Sequence, residues 1–96
     1  MNITIKYCGV WGYKPHAQLV GDEVLEIYPT MEVFLEVGNP GQFDVILKDE
    51  DEITKLIYSK DETNSFPEEG EIINLLGEEW WENKLKNTVI VVSWLE

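Results

Sequence analysis

The chain has 96 residues, with nineteen carboxylates against seven lysines and no arginine, for a net charge of −12. That length accommodates one domain, 1–96, and the charge repels a phosphate backbone, so nucleic acid is excluded as a partner. The longest uncharged stretch, residues 87–95, is far shorter than the roughly 20 residues that cross a membrane, and no apolar leader opens the chain, so membrane spanning is excluded and a cytoplasmic location is expected.

Ile3, Ile5 and Tyr7 alternate with Thr4 and Lys6, the period of two that marks a half-buried strand ending at Cys8. Gly9 and Gly12 bracket Val10 and Trp11 in a loop, and Pro15 suits a first helical position, so a helix is predicted from Lys14 or Pro15. Ala17, Val20, Val24 and Ile27 recur at helical spacing on one face, and Pro29 stops the helix. Val33, Leu35 and Val37 alternate with Glu32, Phe34 and Glu36. Gly38-Asn39-Pro40-Gly41 then turns the chain into a further strand from Phe43 to Lys48, which reads as a hairpin. The acidic turn at residues 49–52 leads into a strand over residues 53–59 that pairs antiparallel with the one before it.

Pro67 opens a second helical pattern, in which Ile72, Ile73, Leu76, Trp80 and Lys84 or Leu85 repeat every three to four residues, with Gly70 and Gly77 weakening it modestly. Trp80 belongs to the core face. Trp81 points another way, towards the sheet's far edge, and Trp94 has no assigned place. Residues 88–95 are β-branched and apolar and suit a short terminal strand, which either joins the same sheet or pairs with another copy of the chain as a homodimer. The order β-α-β-β-β-α, with this added C-terminal strand, spells an α+β layer sandwich.

The chemistry-bearing residues are concentrated at the start. Residues 1–20 hold Lys6 and Lys14 and no acid, together with the only cysteine, Cys8, and the only histidine, His16. One cysteine forbids an internal disulfide. With one histidine it also falls short of the four ligands of a structural zinc site, so no metal and no cofactor are expected. The run Asp49-Glu50-Asp51-Glu52 lacks the spaced ligands and glycine turn of a calcium loop and reads as a solvated turn. Cys8 stands at the carboxyl end of the first strand, just before a helix. There a helix N-terminus and nearby lysines favour thiolate over thiol. The alternative is an inert cysteine packed as a small hydrophobe. His16 reads as a surface residue, while Trp11 on its loop either plugs a cleft or presents an anchor to a partner protein.

Ile5-Lys6-Tyr7-Cys8-Gly9-Val10-Trp11-Gly12-Tyr13-Lys14-Pro15, Tyr28-Pro29, Gly41-Gln42-Phe43-Asp44-Val45, Ile57-Tyr58-Ser59-Lys60, Phe66-Pro67 and Gly70-Glu71-Ile72 form an ordered set that resembles the selenoprotein W-like (Rdx) family. The resemblance extends from Ile3 to about Leu76. It implies a thioredoxin-like fold and a thiol redox role, with a C-x-x-C or C-x-x-selenocysteine pair after the first strand. Cys8 matches the first member of that pair, and Trp11 stands where the second belongs. Ser59 and Lys60, with Phe66 and Pro67, match the family's segment that comes close to the reactive loop, where Phe66 walls the site. The same residues also read as turn and helix-start chemistry, with Asn64 or Ser65 near an N-cap.

Trp11 cannot attack a mixed disulfide, so any redox chemistry is monothiol and needs an outside thiol such as glutathione to resolve it. Two functions follow. One is a monothiol redox protein acting through Cys8, on a partner protein or glutathione, with Trp11, Lys14, Ser59, Phe66 and Pro67 as binding residues. The other is a non-catalytic binding module that keeps the fold and engages a protein through the Trp11 loop or the terminal strand.

Overall fold

The computed structural model describes residues 1–87, with side chains to residue 79. The elements run β1 (Asn2–Cys8), α1 (Lys14–Ile27), β2 (Glu32–Gly38), β3 (Phe43–Lys48), β4 (Thr54–Ser59), α2 (Lys60–Thr63) and α3 (Glu71–Asn87). Four strands make one mixed sheet in the order β2-β1-β3-β4. The expected terminal strand, and the homodimer it would build, lie outside the described residues.

Alternation along the strands sorts the sheet into two faces. Ile3, Ile5 and Tyr7 of β1, Phe43, Val45 and Leu47 of β3, and Tyr58 of β4 are buried in one cluster with Ala17, Val20 and Val24 of α1 and Ile72 and Leu76 of α3. Both long helices therefore cover the same face. Phe43 at the centre has no exposed surface, and truncating such a side chain to alanine typically costs about 3 to 5 kcal/mol. Helix α1 approaches β2 closely because Gly21 has no side chain; a Cβ there would lie 3.3 Å from Val33 Cγ1. Ile27, placed by its spacing on the buried face, is 53% exposed, since the helix ends there, beyond the reach of the sheet.

The hairpin predicted between β2 and β3 does not form. Strand β2 is reached through α1 and so arrives parallel to β1, Cys8 opposite Gly38, while β3 pairs antiparallel on β1's other side. The link at residues 39–42 therefore crosses the end of β1 instead of closing a tight turn. Periodicity identifies a strand and its buried face, but not which strand lies beside it. The β3–β4 pairing is antiparallel as expected. Its acidic turn is organised by Asp49, whose Oδ1 accepts the N–H groups of Asp51 at 2.9 Å and Ile53 at 3.0 Å.

The second long helix begins at Glu71, not at Pro67. Gly70 adopts φ +82°, a left-handed conformation that no helix interior allows. Residues 66–70 are instead a link, in which the Gly70 N–H donates to Glu23 Oε1 of α1 at 3.0 Å, the Glu68 N–H to Glu71 Oε1 at 2.9 Å, and the Glu68 carbonyl accepts the Glu71 N–H at 3.0 Å. The one-turn helix α2, absent from the sequence reading, is ended by Asn64 at φ 62°.

Candidate functional site

Cys8 ends β1 at the point where the 39–42 link crosses it, and its N–H donates to the Gln42 carbonyl at 2.8 Å. Gly38, Cys8 and Gln42 thus form one row across β2, β1 and the link that leads into β3. The Gln42 side chain reaches along that row, and any Cβ at position 38 would collide with its Oε1. That oxygen accepts the Asn39 N–H at 2.7 Å, and Gln42 Nε2 donates to Asp44 Oδ2 at 2.8 Å, so the amide is held at both ends.

The thiol has no exposed surface. Burial is the largest single influence on it and pushes its pKa up. Hydrogen bonds from the backbone at Gly41, Val10 and Trp11 act the other way and together prevail, leaving the thiol below its ordinary value. Two of the residues that supply these donors, Val10 and Trp11, are themselves 80% and 61% exposed. The source of the shift differs from the sequence expectation. The loop backbone at Val10 and Trp11 and the crossing link at Gly41 favour the thiolate. Lys14 is simply exposed at the start of α1.

Three glycines shape this end of the molecule. Gly12 at φ +73° lets the loop turn into α1, and Gly41 at φ +79° turns the link. Gly9 passes close to β2, where a Cβ would be 3.0 Å from Val37 Cγ1.

Trp11 starts a chain of ring contacts that leaves the loop. Its ring meets Tyr13 edge-on at 6.2 Å, and Tyr13 meets Phe66 edge-on at 4.7 Å. Phe66 in turn touches Phe43 edge-on at 5.3 Å and stacks on His16 at 3.8 Å with 5° between planes. Lys60 Nζ lies over both Tyr13 and Phe66, 5.6 and 5.3 Å from their centroids. Tyr58 holds the Phe66 segment in place, its hydroxyl donating to the Ser65 carbonyl at 2.6 Å while accepting from Thr63 Oγ1 at 2.8 Å.

Of the residues singled out from sequence, the fold joins Trp11 to Phe66 through Tyr13 and places Trp11 beside the cysteine. Phe66 stands two ring contacts from Trp11. Pro67 lines a cleft between α1 and residues 66–69. Ser59 is buried at the end of β4, opposite Asp44, and its carbonyl accepts from Thr63 Oγ1 at 3.1 Å. Gly41, Gln42 and Tyr13 are the site residues to which sequence reasoning gave no role, while Lys60, expected near the reactive loop with Ser59, lies over Tyr13 and Phe66. The Gly-Asn-Pro-Gly turn signal marked the link, but only the strand order shows that it passes over Cys8. Among the described residues no group of three or more metal-ligating side chains converges, and no helix is long and apolar enough to cross a membrane.

The Rdx family profile matches residues 2–78. A selenoprotein W-related protein from Vibrio cholerae superposes with a TM-score of 0.68 at 17% identity, covering 80% of this chain and 92% of its own. A protein from Bordetella parapertussis does so with a TM-score of 0.69 at 20% identity, covering 81% and 95%. These likenesses show that the fold is the thioredoxin-like α+β arrangement. No curated protein matches the chain.

Proposed function

The chain belongs to the Rdx family, and on that footing we propose that it is a thiol redox protein that works through Cys8 alone. The observation that carries this reading is the place of Cys8 at the end of β1, under the link that its N–H bonds at Gln42, with backbone donors at Gly41, Val10 and Trp11 lowering the thiol's pKa against the opposing effect of burial. An inert core cysteine packed as a hydrophobe has no such donors.

The cycle has two exchanges. The Cys8 thiolate attacks a disulfide, in a partner protein or oxidised glutathione; an S–S bond forms to Cys8, and the other sulfur leaves as a thiolate. An external thiolate such as glutathione then attacks the mixed disulfide, forming a new disulfide and returning Cys8 as thiolate. Trp11 occupies the position of an internal resolving thiol, so the second step is always intermolecular. Because Cys8 has no exposed surface, both steps require residues 9–12 or the Gln42 side chain to move aside. Trp11, Lys14, Ser59, Phe66 and Pro67 are then the residues near which a partner binds. A reducing, cytoplasmic setting suits a chain with one cysteine and no internal disulfide.

The test is to incubate the folded protein with oxidised glutathione, follow adduct formation by intact mass, and add reduced glutathione to reverse it. One reversible adduct, absent from Cys8→Ser, is expected. A wild-type protein that forms none until denaturant is added rejects the reading.

A second reading has its own observation. Val10, Trp11 and Val37 are 80%, 61% and 66% exposed around a thiol that is not, which suits a non-catalytic module that binds a protein through the loop. Under that reading, Cys8→Ser keeps the protein's interactions and Trp11→Ala loses them.

A further inference from the structure

A cleft of about 460 Å³ runs between α1 and residues 66–69. Its lining includes an apolar group, Leu19, Val20, Phe66 and Pro67. Leu19 is 67% exposed there, although its neighbours Ala17, Val20 and Val24 on the same helix are buried. The rim is acidic, with Asp22, Glu23 and Glu26 on the α1 side and Glu68 and Glu69 on the link side. No lysine lines it.

The lining is polarised. His16, Leu19, Glu23 and Glu26 recur at three- and four-residue steps, so they follow one side of α1 over about 15 Å, room for roughly four or five residues of extended chain. The apolar end is the His16–Phe66 stack, which connects through Tyr13 to the Trp11 loop. The far end holds the carboxylates. Walls of low dielectric focus a field of one sign within such a cleft, which repels anions and raises the local concentration of cations. A bare cation does not account for the apolar group, and no group of three ligands converges among the described residues.

We infer that this cleft docks a basic segment of a partner protein, with an apolar side chain seated on Leu19 and Phe66 and lysine or arginine side chains directed to Glu26 and Glu69. The inference deepens the proposed thiol chemistry by naming the class of its partner, a cationic protein in preference to anionic glutathione, and it rests on that reading only for the docking's purpose.

The experiment titrates Cys8→Ser protein with a fluorescent peptide of one leucine followed by four lysines, and with the same peptide carrying serine in place of leucine. Saturable binding of the leucine peptide is expected, weakening as salt is raised. The serine peptide should bind several-fold more weakly, and both Leu19→Ser and the double variant E26Q/E69Q should lose about tenfold in affinity. These substitutions are at exposed positions, and circular dichroism checks that the fold is kept. Absence of binding, or equal affinity for both peptides or for all variants, overturns the inference. Because the thiol is absent from the titrated protein, failure here leaves the Cys8 chemistry standing, and failure of glutathione exchange leaves the docking standing.

Discussion

The Trp11 indole lies against Gly41: a Cβ at position 41 would stand 3.1 Å from Trp11 Cζ3. The residue three positions after Cys8 is thus packed on the link whose Gly41 backbone also donates to Cys8. Gly41→Ala meets two obstacles, the indole and a φ of +79°. It should destabilise the protein by about 1 to 2 kcal/mol and shift tryptophan emission to longer wavelength. Urea unfolding and fluorescence check this, and an unchanged midpoint contradicts it.

Gly38 leaves the space that the Gln42 amide fills over the cysteine row. In Gly38→Ala the new methyl displaces Gln42 Oε1 and breaks its bond from the Asn39 N–H. The flexible amide yields cheaply, so the expected stability loss is about 1 kcal/mol. The informative readout is access to Cys8: its reaction with a thiol reagent in the folded protein should speed up several-fold, and a slower or equal rate shows that Gln42 does not guard the sulfur.

Trp11→Cys restores a C-x-x-C spacing on a loop already turned by Gly12 at φ +73°. The variant should form an internal disulfide under mild oxidation, visible as a loss of two mass units and of both free thiols. Its mixed disulfides with glutathione should also resolve without added thiol. A variant that stays fully reduced where comparable loops oxidise shows that positions 8 and 11 are not held within bonding reach.

The lowered Cys8 pKa makes a signed prediction for stability. The unfolded thiol titrates near about 8.5 and the folded one lower, so between the two values the unfolded chain binds more protons. The stabilisation Cys8 contributes is therefore full above the unfolded value and is lost as pH falls through the folded one. Urea unfolding of wild type and Cys8→Ala across this range should show the wild type gaining on the variant as pH rises. A difference that is flat or shrinks with pH removes the donors' role.

Much of this fold is legible in the sequence because it rests on periodicity. Ile3, Ile5 and Tyr7, and then Ala17, Val20 and Val24, mark their buried faces unambiguously. Partner choice is another matter. Val33, Leu35 and Val37 alternate as a hairpin strand would, and only the helical connection before them makes β2 parallel to β1, with β3 on the other side. The site follows the same division. Cys8 and Trp11 stand out as residue types, but the donor at Gly41 and the cover by Gln42 come from a link crossing a strand end, which no local pattern encodes. Pro67 and Gly70 show the limit at helix starts: both are boundary residues, and it is the left-handed conformation of Gly70 that puts the boundary at Glu71.

The proposed chemistry requires that the loop and link backbone favour the Cys8 thiolate and that local opening exposes it. It is tested most directly by the rate at which the natively folded protein reacts with iodoacetamide as pH is varied, followed by mass, with urea-unfolded protein as reference. Modification of Cys8 in the folded state is expected, with a rate that rises along a titration curve centred below the reference of about 8.5. Modification that appears only on unfolding, or a folded-state midpoint at or above that reference, contradicts it.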